Sequence, residues 1–205
     1  MFENKFPIMG RDRMRMGTDG SGVRTLIVLG GCPLRCKYCF NSSAWDGSME
    51  PMYMTADEIV ERFKIFELYM LATNGGLTFG GGEPLLHPLL IRELRNIVDK
   101  NLNFSVESSF AVPWENIEAV LNCVEEFVVD IKTCNTVLYY SYTGGRLELA
   151  MENLKKAIRV KGADKIVVRL PLIPGYNDMD SVDESENYLR KAGVERIARF
   201  EYQIT

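Results

Sequence analysis

Histidine is almost absent from this chain, and neither sign of charge dominates it. His87 is the single histidine among 205 residues, so a histidine-rich zinc site or a Ser-His-Asp triad would depend on one side chain and is not expected. We place His87, which precedes Pro88, in a surface loop. The 24 basic and 28 acidic side chains give a formal net charge of −4, which argues against a dedicated nucleic-acid-binding protein.

Long apolar runs and linkers are also missing. No apolar run approaches the roughly 18 residues that a membrane-spanning helix needs, and residues 1–7 lack the apolar core of a signal peptide. No glycine- and serine-rich or low-complexity stretch divides the chain. We therefore predict a cytoplasmic protein with a single domain over residues 1–205, in which about 18–205 form the core and 1–17 an N-terminal arm.

Cysteines are few, odd in number and unevenly spaced, which argues against a disulfide framework. Cys32, Cys36 and Cys39 lie within eight residues, whereas Cys123 and Cys134 stand apart and are poor candidates for ligands of the same site. Soft thiolates select iron–sulfur clusters, zinc or Cu(I). A structural zinc site needs a fourth ligand, whereas three thiolates leave one metal position open. We favour an iron–sulfur cluster over zinc, with unliganded cysteines as the third interpretation.

Six apolar segments rich in β-formers alternate with helical patterns along the chain. Such alternation is typical of βαβ units with a parallel sheet. The predicted strands are 24–29, 77–79, 103–108, 127–131, 165–170 and 196–202. Helices are predicted from residues 55, 88 and 113 and over about 146–160 and 181–192. The pattern is consistent with a partial barrel or with a doubly wound open sheet, and it does not decide between them.

Chemically unusual residues follow the ends of the predicted strands. Ligands of parallel α/β folds bind at the carboxyl ends of the strands, so this placement indicates an enzyme. The positions hold the cysteine cluster, the glycine run that ends in Glu83, and then Glu107, Asp130, Lys132, Arg169 and Gln203. A plain tight turn for the glycine run and a strand ion pair between Asp130 and Lys132 are the alternatives.

Several of these motifs resemble those of radical S-adenosylmethionine enzymes. The spacing Cys-x₃-Cys-x₂-Cys, with Tyr38 before the third cysteine, resembles the signature of that superfamily. Residues 18–24 resemble the Asp-Gly-Pro-Gly-x-Arg motif of glycyl-radical-enzyme activating enzymes of the pyruvate formate-lyase activase type, with Ser21 in place of proline. Further matches fall in the expected order at 39–41, 41–46, 81–84, 130–132, 143–144 and 173–175.

The resemblance implies a fold, cofactors and site residues. The implied fold is α/β, a partial (β/α)6 barrel of parallel strands of the radical S-adenosylmethionine type. Cys32, Cys36 and Cys39 are expected to hold one 4Fe–4S cluster. The residues expected to contact S-adenosylmethionine are Tyr38, Phe40, Gly81, Gly82, Glu83, Glu107, Asp130, Lys132, Arg169 and Gln203. Three of these depart from the activase pattern, since Phe40 and Gln203 stand where histidines are usual and Glu107 where aspartate is common.

The implied activity is reductive cleavage of S-adenosylmethionine to a 5′-deoxyadenosyl radical that abstracts hydrogen. The expected hydrogen donor is a glycine of a partner glycyl radical enzyme, and the expected electron donor is an external protein of the flavodoxin or ferredoxin type. We expect an anaerobic, monomeric enzyme that binds neither nucleic acid nor membrane. The first alternative is a radical enzyme that modifies a small molecule or a ribosomally made peptide. The second is a non-enzymatic iron–sulfur or zinc module.

Overall fold

The computed structural model describes residues 3–17 and 20–202, which form two compact units. Within the described part, the first unit takes the residues up to Cys32, Asn41–Glu107 and Glu115–Glu125. The second unit takes Pro33–Phe40, Ser108–Trp114 and the residues from Glu126 onward.

The first unit is a mixed sheet flanked by helices. Its strands lie in the order β3-β1-β2-β4-β5, in which β1 is antiparallel to β2 and β3, whereas β2, β4 and β5 are parallel. The strands are β1 (Phe6–Met16), β2 (Val23–Leu29), β3 (Met52–Met54), β4 (Gly76–Gly81) and β5 (Asn103–Ser108). The helices are α1 (Ala56–Phe63), α2 (Glu67–Ala72), α3 (Pro88–Ile97) and α4 (Trp114–Glu118), of which α4 starts at the boundary of the unit.

Local sequence explains where these helices start. Thr55 and Glu58 form a capping box, since the Thr55 hydroxyl accepts from Glu58 N and Thr55 N donates to the Glu58 carboxylate. Pro88 occupies the first turn of α3, where its missing N–H costs no hydrogen bond. Short 3₁₀ turns are found at Ser42–Ala44, Lys64–Phe66 and Pro84–Leu86.

The second unit contains three parallel strands and three helices. Its strands lie in the order β6-β7-β8. The elements are β6 (Glu126–Asp130), α5 (Thr136–Thr143), α6 (Leu147–Lys161), β7 (Ile166–Leu172), α7 (Met179–Lys191) and β8 (Arg196–Glu201), with a 3₁₀ turn at Ala163–Lys165. Asp178 caps α7 by accepting a hydrogen bond from Ser181 N. Gly193, which follows α7, has a φ of +96°, as expected for a residue that ends a helix.

All six predicted strands are present, and the described residues contain two further strands, β1 and β3, that we did not predict. Strand β1 lies in the segment assigned to the N-terminal arm, so the charged stretch 11–15 is paired to β2 rather than free in solvent. It was missed because only Phe6 and Ile8 of β1 are buried apolar residues, which is too short a pattern to predict a strand.

Within the described residues, no helix is both long and apolar enough to cross a membrane.

Candidate functional site

Backbone hydrogen bonds join the carboxyl ends of β2 and β4 in the first unit. Gly82 N donates to Leu29 O at 2.9 Å, and Glu83 N donates to Gly31 O at 2.7 Å. Cys32 follows Gly31 directly. The loop after β4 therefore holds the segment that leads into the cysteine cluster.

The glycines of this loop are required by its close approach to β2. Gly81 has a φ of +100°, and a Cβ there would lie 2.4 Å from Val28 Cγ1. A Cβ on Gly82 would lie 2.1 Å from the carbonyl oxygen of Gly31. Both distances are shorter than van der Waals contact, so only glycine fits. We predicted that these glycines allow a ligand to approach the backbone closely. The structure shows that they also allow the loop after β4 to pack closely against β2 and Gly31.

Two carboxylates flank the glycine loop. Glu83 is buried, and its Oε1 accepts a hydrogen bond from Leu85 N at 3.2 Å, which caps the 3₁₀ turn at Pro84–Leu86. Glu107 near the end of β5 faces Gly80, because a Cβ on Gly80 would lie 3.5 Å from Glu107 Oε2. Glu83 therefore supports the loop, while Glu107 presents a carboxylate beside it.

Arg24 of the Asp-Gly-x-Gly-x-Arg motif lies at the opposite, amino end of the strands. Its guanidinium is buried and donates to the Thr78 hydroxyl at 2.8 Å, to Leu77 O at 2.8 Å and to Asn103 O at 3.1 Å. These bonds connect β2, β4 and β5. Arg24 therefore stabilises the sheet by bonding to neighbouring strands. Residues 18 and 19, at the start of the motif, lie outside the described residues.

A charged cluster occupies the carboxyl ends of β6 and β7 in the second unit. Arg169 Nε lies 2.7 Å from Asp130 Oδ1 and its Nη2 lies 3.1 Å from Oδ2, so the pair is bidentate. Lys132 Nζ lies 3.3 Å from the same Oδ2. The predicted residues Asp130, Lys132 and Arg169 are thus brought together, and the ion-pair interpretation of Asp130 and Lys132 holds alongside any ligand role.

The pKa values of Asp130 and Lys132 are both shifted in the direction that favours the charged form. Burial acts to raise the pKa of Asp130, but Lys132 and Arg169 outweigh it and hold that pKa below its ordinary value. Burial acts to lower the pKa of Lys132, but Asp130 raises it above the ordinary value. An ammonium has three N–H donors. Lys132 thus has donors left for a ligand after pairing with Asp130.

Aromatic side chains surround Cys36 in the second unit. Tyr142 is buried and packs with Tyr38 and Cys36. The ring centroid of Tyr38 lies 6.1 Å from that of Tyr142 and 5.6 Å from that of Tyr176, and both pairs of rings meet edge to face. Tyr142 and Tyr176 were not predicted as site residues, although each adjoins a motif noted in the sequence: Tyr142 precedes the motif at 143–144, and Tyr176 follows the motif at 173–175.

Tyr202 connects the aromatic and charged groups of this unit. Its ring stacks on Phe40 with centroids 5.3 Å apart, and Lys132 Nζ lies 5.5 Å from its centroid. We predicted Gln203 as the site residue here, and it lies outside the described residues. Position at the end of the last strand was the only sequence signal for Tyr202.

The end of α5 supports the loop that carries Cys36. Arg35 N donates to Thr143 O at 2.7 Å, and Lys37 N donates to Tyr142 O at 3.1 Å. Gly145 approaches the loop so closely that a Cβ would lie 2.2 Å from Leu34 Cδ2. The motif at 143–144 thus has a structural role, which is to seat the cysteine loop.

All five cysteines are thiols. Burial raises the pKa of Cys36 to about 11, while the Lys132 ammonium acts in the opposite direction. Burial also raises the pKa of Cys134, to about 12, and its Sγ contacts Ser185 O at 3.6 Å. In the part of the chain that the structure describes, no three His, Cys, Asp or Glu side chains are grouped closely enough for a single metal ion.

The donor set nevertheless fits an iron–sulfur cluster. A cluster is larger than one ion, so its thiolate ligands lie further apart than the ligands of a single metal ion. Three soft donors occur within eight residues, as such a cluster requires. Metal binding would deprotonate the thiols, because the thiolate is the ligand.

Curated relatives of this chain are named as activating enzymes. The pyruvate formate-lyase-activating enzyme of Clostridium pasteurianum is 29% identical over 189 residues, which cover 90% of this chain and 77% of that protein. The benzylsuccinate synthase activating enzyme of Thauera aromatica is 24% identical over an alignment of 250 positions, which covers 91% of this chain and 75% of that protein.

Solved structures share the fold of this chain. Streptococcus suis SuiB bound to S-adenosylmethionine superposes with a TM-score of 0.66 at 13% identity. The match covers 85% of this chain but only 39% of SuiB. At this identity the likeness concerns the fold alone, and it confirms the predicted α/β fold class.

The sequence model of the Radical SAM superfamily matches residues 26–189, well over half of the chain. A 4Fe–4S cluster and S-adenosylmethionine are characteristic of that superfamily, so the predicted cofactors and enzyme class are confirmed. The curated relatives are named as activating enzymes, the branch that the sequence motifs resemble. This chain therefore belongs to the Radical SAM superfamily.

Proposed function

We propose that this chain activates a glycyl radical enzyme by abstracting a hydrogen atom from one of its glycine residues. The observation that carries the proposal is that the activating enzymes of Clostridium pasteurianum and Thauera aromatica match 90% and 91% of the chain. The bound cofactors supply the chemistry, a 5′-deoxyadenosyl radical formed by reductive cleavage of S-adenosylmethionine. The protein supplies binding, orientation and exclusion of water.

We propose Cys32, Cys36 and Cys39 as the cluster ligands. Their spacing in the sequence favours this role. Backbone hydrogen bonds also hold the segments that carry Cys32 and Cys36 in place. The glycine loop after β4 holds the residues before Cys32, and the end of α5 holds the residues around Cys36. Cys134 is a poor ligand, because its thiol is engaged with Ser185 O.

We propose the remaining predicted residues as contacts for S-adenosylmethionine. Glu107 is suited to accept from an ammonium group and Lys132 to donate to a carboxylate or a ribose hydroxyl, both as charge-assisted hydrogen bonds. Asp130 and Arg169 orient Lys132 through the ion-pair cluster. The other proposed contacts are Tyr38, Phe40, Gly81, Gly82, Glu83 and Gln203.

We also propose the setting in which the enzyme works. The electron donor is a flavodoxin or ferredoxin type of protein, and the enzyme acts as a cytoplasmic monomer under anaerobic conditions. Five cysteine thiols suit a reducing compartment. The two compact units act as one domain, which is supported by a single family match that runs across residues of both units.

Anaerobic reconstitution with iron and sulfide tests the ligands and the chemistry. Reduced wild-type protein should release 5′-deoxyadenosine from S-adenosylmethionine, Cys36→Ala should not, and Cys123→Ser should match wild type as the control. Elemental analysis should find iron and sulfide. Stoichiometric zinc without sulfide would contradict the cluster.

Electron paramagnetic resonance tests the substrate. The reduced enzyme with S-adenosylmethionine and a candidate glycyl radical enzyme should give a carbon-centred doublet, which should vanish when the acceptor glycine is changed to alanine. No doublet with any glycyl radical enzyme of the same organism, together with turnover of a small molecule or peptide, would overturn the proposed substrate but leave the cofactors in place.

A further inference from the structure

The segment before Cys32 is fixed by backbone hydrogen bonds from several directions. Besides the two bonds from the glycine loop, Gly30 N donates to Pro7 O at 2.9 Å and Gly31 N donates to Ala44 O at 2.7 Å. These partners lie on β1 and on the 3₁₀ turn at Ser42–Ala44. The polypeptide that enters the cysteine cluster is therefore held rigidly.

A side chain adds to this set of backbone bonds. Nε2 of His87 lies 2.8 Å from the carbonyl oxygen of Gly30. Because a carbonyl oxygen only accepts, Nε2 must carry the hydrogen. His87, which we placed in a surface loop, thus reaches the residue two positions before Cys32.

The position of His87 makes this contact notable. It is the N-cap residue of α3, where a side chain commonly accepts a hydrogen bond from the first turn, yet its side chain makes no cap bond. The ring is directed to Gly30 instead. Helix α3 is itself anchored by Leu90, Ile91 and Leu94, which are fully buried. The hydrogen bond therefore ties Gly30 to a rigid element.

We propose that His87 is a positioning residue for the iron–sulfur cluster, acting through the Gly30 carbonyl on the backbone that carries Cys32. The inference rests on the proposed role of Cys32 as a ligand. Preorganised ligands lose less conformational entropy on binding metal, and residues that orient ligands contribute to metal affinity without touching the metal. Without this bond the cluster should be released more readily.

Two amide variants of His87 test the hydrogen bond. The amide nitrogen of Gln stands near the place of His Nε2, whereas the amide of Asn is one bond shorter and falls short of Gly30. Reconstituted His87→Asn should release iron to a chelator about two- to tenfold faster than wild type, as expected for one hydrogen bond. His87→Gln should release iron at close to the wild-type rate.

Asn103→Ala is the matched control, because it removes a 2.9 Å side-chain to backbone bond, to Asn74 O, at the amino end of the strands. It should not change iron release. Equal release rates for His87→Asn and His87→Gln, or a faster rate for Asn103→Ala as well, would overturn the role of His87. A full iron content in Cys32→Ser would instead overturn the ligand assignment, so the two failures are distinguishable.

Discussion

Asp130 and Arg169 face each other on neighbouring parallel strands and form a bidentate ion pair. Their backbones are register partners on β6 and β7, and Arg169 Nε lies 2.7 Å from Asp130 Oδ1. Lys132 shares the same carboxylate at 3.3 Å. One carboxylate thus orients two cations at the carboxyl end of the sheet, which is where parallel α/β proteins bind ligands.

Loss of the Asp130 charge should destabilise the protein at neutral pH. Asp130→Asn leaves Lys132 and Arg169 without their counter-charge, and the expected loss in the free energy of unfolding is about 3 kcal/mol. Urea unfolding at pH 7 measures this loss. Asp183→Asn, which removes an exposed partner of Arg199, should cost less than about 1 kcal/mol.

The loss of stability caused by Asp130→Asn should be smaller in acid than at neutral pH. Because the folded protein holds the pKa of Asp130 below its ordinary value of 3.8, the stabilisation is complete above that value and is lost as the pH falls through the lowered pKa. The difference between wild type and Asp130→Asn should therefore narrow in acid. A constant difference from pH 7 down to the acid range would contradict the ion-pair explanation.

Gly82→Ala should be strongly destabilising, because its Cβ would meet the Gly31 carbonyl oxygen at 2.1 Å and backbone must move. Overpacking of this kind costs about 1–3 kcal/mol or more. Gly10→Ala is the control, since a Cβ there meets nothing within 4 Å. Thermal unfolding of the metal-free proteins measures both, and similar melting temperatures for the two variants would contradict the packing argument.

Arg24→Lys should destabilise the first unit although it keeps the charge. A lysine cannot reproduce the planar set of donors with which Arg24 reaches Thr78, Leu77 and Asn103, so buried acceptors lose their partners. The expected loss is about 1–3 kcal/mol. Denaturant unfolding measures it, and an unchanged midpoint would show that the three bonds add nothing to stability.

Tyr202→Ala should weaken binding of S-adenosylmethionine, because it removes both the ring that stacks on Phe40 and the ring beneath Lys132. Aromatic and cation–π contacts of this kind are worth about 0.5–1.5 kcal/mol. Tyr202→Phe keeps the ring and should bind like wild type. Calorimetric titration of the reconstituted proteins with S-adenosylmethionine measures the affinities. If Tyr202→Ala binds as tightly as wild type, Tyr202 does not contribute to binding.

The sequence by itself determined the parallel strands and predicted the cysteine ligand set. Buried parallel strands such as β6 and β7 are continuous apolar runs, so their signal is local. Metal-binding spacing within one loop is local as well, and it predicts the chemistry of Cys32, Cys36 and Cys39 without any tertiary information. Placement of charged residues at strand ends then located Asp130 and Lys132.

Only the tertiary structure decided which distant residues support those ligands. Strands β1 and β3 are half exposed, and they form because neighbouring strands are available to pair with them. Helix α5 was not predicted, because its exposed residues Val137 and Tyr140 are as apolar as its buried residues Tyr139 and Tyr142, so the sequence shows no apolar stripe of helical spacing. The contacts of His87 with Gly30 and of Tyr202 with Phe40 join residues far apart in the chain. Local patterns report the periodicity of burial, whereas such contacts depend on how the chain folds back on itself.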